Sequence, residues 1–188
     1  MTTKRLIVGI TGASGAVYGV RLLEVLRDSD IETHLILSTS AALTLKFELD
    51  MKPDDVKVLA DHVHAIGDVA AAVSSGSFRT EGMIIAPCSI RTMSNIAYGD
   101  TSNLISRAAD VVLKERRRLV LMLRESPLHL GHLRAATAVT EMGAIVAPPV
   151  PAFYNNPESV DDIVTHAVGR ALDLFDMDAG IVKRWGET

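Results

Sequence analysis

One cysteine in 188 residues rules out an internal disulfide, so the fold must stand on its core alone. Aromatic residues are scarce at 4% while hydrophobic residues reach 48%, which leaves Ala, Val, Leu and Ile to build that core. Buried parallel strands covered by small-residue helices have this composition. No apolar run approaches the ~18 residues of a membrane span and no signal-peptide pattern is visible, so a cytoplasmic protein is expected. The net charge of −4 supplies no dominant basic face, which argues against a nucleic-acid partner and for a small anionic ligand. Repeats and low-complexity linkers are missing too, which leaves one domain over 1–188 with a tail from about 176. A chain of this length buries roughly 70% of its unfolded surface, enough to fold without staples.

What the chain does contain is five short apolar strands that each end abruptly in small, hydroxylated, Pro-rich or charged residues. They read Arg5 to Ile10, Glu32 to Leu37, Gly82 to Ala86, Leu119 to Leu123 and Ala144 to Ala147. After them come Thr11-Gly12-Ala13-Ser14-Gly15, Ser38-Thr39-Ser40, Pro87-Cys88-Ser89-Ile90-Arg91-Thr92, Arg124-Glu125-Ser126-Pro127 and Pro148-Pro149-Val150-Pro151. In an open parallel sheet all five endings emerge along one edge, where α/β proteins hold their ligands. Helical spacing of apolar residues predicts helices over Ala16 to Arg27, Ala41 to Leu49, Thr92 to Ala97, Asn103 to Arg117, Leu128 to Met142 and Ser159 to Phe175. The stretch from Asp54 to Ser77 shows helical pattern in Val56 to Val63 and Asp68 to Val73 but is not placed in detail. The alternation predicts an α/β fold, a three-layer doubly wound parallel sheet of Rossmann-like or flavodoxin-like kind.

The loop Gly9 to Gly15 turns tightly and opens a helix, whose free N–H groups and dipole favour a phosphate; close strand-to-helix packing is the alternative use of these glycines. Its G-x-x-G-x-x-G spacing is not the dinucleotide pattern. Ser38-Thr39-Ser40 also stands where an NAD ribose would want a carboxylate, so a flavin mononucleotide suits better. Arg124-Glu125 leaves a buried strand at the ligand edge, a place for acid-base work or for a structural ion pair. Arg107 and Lys114 lie seven apart on one helical face and together could clasp a phosphate, or lie salt-bridged at the surface. Cys88 lacks an activating base and reads as a packing residue. The pairs His62 with His64 and His129 with His132 have metal-like spacings, yet no Cys or carboxylate cluster completes a tetrahedral site, and surface or capping roles are expected.

Taken jointly, Thr11-Gly12-Ala13-Ser14-Gly15, Ala108 to Arg117, Arg124-Glu125-Ser126-Pro127, Pro151-Ala152-Phe153-Tyr154 and Arg184-Trp185-Gly186 make the chain resemble the UbiX-type flavin prenyltransferases along nearly its whole length. The resemblance implies transfer of a dimethylallyl group from dimethylallyl phosphate to reduced FMN, without a metal. It also implies a homo-oligomer, often a dodecamer, whose prenylated FMN serves a UbiD-type decarboxylase in ubiquinone or aromatic-acid metabolism. Carried over by motif, Gly12, Ala13, Ser14, Ser38, Ser89, Ile90, Arg91, Thr92 and Arg124 are expected to contact FMN. Arg107, Lys114, Tyr154 and Arg170 are expected to cradle the prenyl phosphate, with Trp185 in an aromatic lid. Glu48 and Glu125 resemble the acid-base carboxylates of the family and Ser14 its active hydroxyl. Thr39 stands where the family often has Lys, and Arg118 where it often has Pro. The runner-up class is an FMN-dependent cysteine decarboxylase, whose Pro-Ala-Ser-Ala-Asn-Thr pattern is replaced here by Pro87-Cys88-Ser89-Ile90-Arg91-Thr92. A non-catalytic flavin carrier or decarboxylase subunit remains a third class.

Overall fold

A computed structural model describes residues 4–186. Six parallel strands form one sheet: β1 Lys4–Ile10, β2 Ile31–Leu37, β3 His62–His64, β4 Gly82–Cys88, β5 Arg118–Leu123 and β6 Ile145–Val146. Seven helices connect and cover them: α1 Ala16–Arg27, α2 Thr39–Leu49, α3 Pro53–Lys57, α4 Ile90–Ala97, α5 Leu104–Lys114, α6 Leu130–Glu141 and α7 Val160–Asp173. The strand order β3-β2-β1-β4-β5-β6 runs outward in both directions from the β1/β4 boundary, so the chain reverses its winding there. That is the doubly wound plan, and its switch point is where a crevice opens at the carboxyl ends of the strands.

The alternation of side chains along each strand sorts the core into two layers. Leu6, Val8, Ile10, Ile84, Ala86, Val120 and Met122 face α1, α2, α3 and α7. Ile7, Met83, Ile85, Leu119, Leu121 and Leu123 face α4, α5 and α6. Because β4 is buried at every position, it reads as a continuous apolar run instead of an alternating one.

Three differences from the sequence expectations have physical reasons. The strand expected to end at Ala86 continues through a cis Ala86–Pro87 bond to Cys88, with a break in register against β5 that accommodates the proline. The segment with helical pattern in Val56 to Val63 is instead a five-residue helix followed by β3, because Val56 alone of that helix is buried and His62-Val63-His64 pairs with His34-Leu35-Ile36. The segment Asp68 to Val73 is turn, entering a short 3-10 helix at Ala72–Ser74. Among the described residues no helix is long and apolar enough to cross a membrane.

Candidate functional site

Along the carboxyl edge, the loops after β1, β2 and β4 enclose a cleft of about 370 Å³ lined by Thr11, Gly12, Ser38, Thr39, Ser40, Ser89, Arg91, Thr92, Asn95 and Asn103. Three of these residues are helix caps. The Ser38 hydroxyl accepts from the Ala41 N–H at 3.1 Å, the Ser89 hydroxyl from the Thr92 N–H at 3.2 Å and the Asn103 side-chain Oδ1 from the Ser106 N–H at 3.1 Å. The cleft therefore collects the amino ends of α2, α4 and α5, whose partial positive charge adds to the Arg91 guanidinium. Gly12 makes the close approach possible: a methyl group there would lie 2.3 Å from the Ser40 Cβ. Thr11, fully buried, ties two of the walls together, since its hydroxyl donates to the Pro87 carbonyl at 2.6 Å and accepts from the Ser89 N–H at 2.9 Å.

The amino end of α1, where the glycine loop was expected to seat a phosphate, is already taken. Glu48, reaching across from α2, accepts from the Gly15 N–H at 2.8 Å and the Ala16 N–H at 3.0 Å. Burial alone would push the Glu48 carboxyl up. Hydrogen bonds from the Ser14 hydroxyl and these two N–H groups, with the field of Arg124, outweigh it and hold the carboxyl below its usual range. Ser14 and Glu48 thus form one hydrogen-bonded unit with an ionised carboxylate, whose negative charge disfavours a second anion at the start of α1.

A second pocket of about 370 Å³ opens beyond β5. Met122, Ile145, Ala147, Pro148, Pro149 and Val150 give it an apolar wall, and Tyr154, His166 and Arg170 supply its polar end. His166 and Arg170 are four residues apart and so share one face of α7. The Tyr154 ring stands at right angles to the Trp185 indole, 86° and 5.5 Å between centroids. The tail that carries this indole is anchored by Arg184, which grips both Asp173 carboxylate oxygens at 3.0 and 2.8 Å. Arg170 donates to the same carboxylate at 2.6 Å.

The expected residues separate into those the fold gathers and those it scatters. Gly12, Ser38, Ser89, Arg91 and Thr92 line the first cleft, and Tyr154 and Arg170 the second. Ala13 and Ser14 continue the β1 loop, Ile90 begins α4, and the Arg124 side chain passes beside Gly15. Glu125 is exposed, one oxygen accepting from the Ser126 N–H at 3.0 Å. Lys114 is elsewhere. It pairs with Glu115 beside Gly76 at the amino edge, just before Arg118 opens β5. At about 3.3 Å per residue, the strand from Arg118 to Arg124 holds it roughly 20 Å from its own chain's cleft. Arg107, pairing with Asp110 at 3.0 Å, sits two turns nearer the ligand edge.

Sequence reasoning passed over Thr11, Asn95 and Asn103 in the cleft and His166 in the pocket. Thr11 and Asn103 carried a signal: one ends the first apolar strand and the other is an Asn just ahead of a helix. Cys88 is buried and burial pushes its thiol up to about 12, so it is a packing group and no nucleophile.

The sequence matches the Flavoprotein family model over residues 1–172. It is 57% identical over 185 residues to the flavin prenyltransferase UbiX of Escherichia coli strain K12, an alignment covering 97% of this chain and 98% of that one. A crystal structure of AnUbiX (PadA1) in complex with FMN and dimethylallyl pyrophosphate superposes with a TM-score of 0.97 at 51% identity, covering all of both chains. A dodecameric FMN-dependent UbiX-like decarboxylase from Escherichia coli O157:H7 follows at 0.94 and 51%, over 96% of this chain and 98% of that one. An all-parallel, doubly wound sheet with a hydroxyl-lined cleft at its switch point, matched along its whole length by such relatives, places the chain in the Flavoprotein family, among its UbiX-type flavin prenyltransferases.

Proposed function

We propose that the protein transfers a dimethylallyl group from dimethylallyl phosphate to reduced FMN, and that the product leaves to serve a UbiD-type decarboxylase in the cytoplasm. The observation that carries this reading is the pairing of a hydroxyl-rich, cation-bearing cleft at the switch point with an apolar pocket beside β5 and β6 that ends in a phenol and a guanidinium. Bound reduced flavin supplies the nucleophile. The protein's part is positioning and charge. Ser38, Ser89, Thr92 and Arg91, together with the helix ends, hold a phosphomonoester in the first cleft. Arg170 and Tyr154 bind the donor phosphate and stabilise it as negative charge accumulates on the leaving group. The apolar wall and the Tyr154–Trp185 pair shield the allylic group, whose positive charge the π faces favour and water would quench. The ionised Ser14–Glu48 unit would supply a negative charge and a proton relay at the start of α1.

Lys114 enters this chemistry through assembly. Because it lies at the opposite edge of its own chain, we assign it to the site of a neighbouring copy in a closed homo-oligomer.

Two measurements test the reading. In a binding titration FMN should bind at least tenfold more tightly than NAD or FAD, since the cleft carries no carboxylate for an adenosine ribose; a dinucleotide binding as tightly as FMN would overturn it. Anaerobic incubation with reduced FMN and dimethylallyl phosphate should then release a flavin heavier by one prenyl unit, with a changed absorption spectrum. Flavin recovered unaltered after binding would make the protein a carrier. The cysteine-decarboxylase reading is disfavoured because Cys88, Ile90 and Arg91 stand where its pattern has Ala, Ala and Asn.

A further inference from the structure

On the outer edge of the sheet, away from the flavin cleft, two adjacent strands bring three imidazoles and a carboxylate together. Parallel pairing sets His34 beside His62 and Ile36 beside His64, so Glu32, His34, His62 and His64 rise from one face of β2 and β3. Glu32 Oε1 lies 2.9 Å from His34 Nε2 and 3.6 Å from His62 Nε2. One ligand atom from each of these three residues lies within 4.8 Å of the other two. Donors held about 2.0–2.1 Å from a tetrahedral zinc ion stand about 3.3 Å apart, a spacing the two shorter separations straddle.

The surroundings are those of a supported site. His34 is nearly buried, and its Nδ1 lies 3.0 Å from His64 Nε2, so the inner ring is held by its second nitrogen as metal-bound histidines usually are. Arg5 holds Glu32 Oε1 at 2.8 Å, and Phe78 stands edge-on to His34 at 5.1 Å, closing the back. His62 is 53% exposed, which leaves the front open to water as a fourth ligand. Its ring stacks on His34 at 18° and 4.8 Å, so coordination requires the exposed ring to turn about its side-chain bonds. Read along the chain, His62 and His64 have only Asp61 beside them, whose carboxylate is engaged by Thr33; the strand pairing supplies Glu32.

We propose that Glu32, His34 and His62 form a binding site for a divalent transition metal, Zn2+ in the first instance, that clips the three-residue edge strand β3 onto β2. Two imidazole nitrogens with one carboxylate oxygen suit Zn2+ far better than Mg2+ or Ca2+, which take oxygen donors. The site is separate from prenyl transfer. Glu32 and His34 lie six and four residues before Ser38, where the cleft begins, so the site stands roughly 13–20 Å away along β2.

The test uses the full-length protein without a polyhistidine tag, stripped with a chelator and titrated calorimetrically with Zn2+. One ion should bind per chain and raise the melting temperature. His62→Ala should weaken binding tenfold or more while FMN affinity, which reports an intact fold, stays unchanged. His62→Gln serves the same purpose should the alanine variant lose FMN. A His129→Ala/His132→Ala variant should bind Zn2+ as the parent does. The proposal is overturned by a parent protein that takes up no stoichiometric Zn2+, by His62 variants that bind it as tightly as the parent, or by loss of binding in the His129/His132 variant instead.

Discussion

Glu48→Gln should slow prenyl transfer by roughly a hundredfold or more while leaving FMN bound, the usual scale for a lost acid-base group. The amide can still accept one hydrogen bond from the start of α1, but it carries no charge to balance an allylic cation and cannot take a proton from Ser14. Because the cleft proposed to hold the FMN phosphate lies at the amino ends of α2, α4 and α5, FMN affinity should move little. The carboxyl is held below its ordinary value of 4.5, so its stabilisation of α1 is full above that value and is lost only as the pH falls through the lower folded one. Below about pH 4.5 the parent should therefore lose stability more steeply than Glu48→Gln, which keeps only the acid loss shared with other depressed carboxylates such as Asp61 and Asp173. Single-turnover rates and melting temperatures measured from pH 3 to 7 check both parts. Parent-like turnover in Glu48→Gln would pass the acid-base role to Glu125, and Glu125→Gln should then show the large loss.

The second large effect is expected at the phosphate. Arg170→Ala and Lys114→Ala should each raise KM for dimethylallyl phosphate at least tenfold, since each removes a charge-assisted contact to a dianion, while FMN stays bound. The two differ in where they act. Arg170 lines its own chain's pocket, whereas Lys114 is at the far edge of the sheet. Mixing unfolded or dissociated chains of the two variants and reassembling them should restore activity in about a quarter of sites, those built from one intact Lys114 and one intact Arg170 in different chains. Activity no better than the sum of the two variants would sink the shared-site reading. So would light scattering that finds a fully active monomer.

Much of this was legible in the chain because buried parallel strands are apolar runs and their endings are abrupt. Ser38 and Ser89 declare themselves twice, as the residues after a strand and as caps of the next helix, and both line the cleft. β3 was not legible: three half-exposed residues with histidine at alternate positions carry no apolar run, and only pairing with β2 makes them a strand. Nor was the fate of the glycine loop, since Glu48 lies some thirty residues from the N–H groups it occupies. The position of Lys114 was deducible. A helix between parallel strands runs antiparallel to them, so cations at its carboxyl end fall at the sheet's amino edge. That direction separates Lys114 from the cleft of its own chain and leaves its expected phosphate contact to a neighbouring copy.

The burial of Cys88 bears on how this protein survives its own chemistry. Reduced flavins hand electrons to dioxygen, and the peroxide so made attacks thiolates. Burial raises the Cys88 thiol and encloses it fully, so it stays protonated at neutral pH and away from solvent-borne peroxide. As the sole thiol in the chain, it also leaves no exposed cysteine that could cross-link one copy to another.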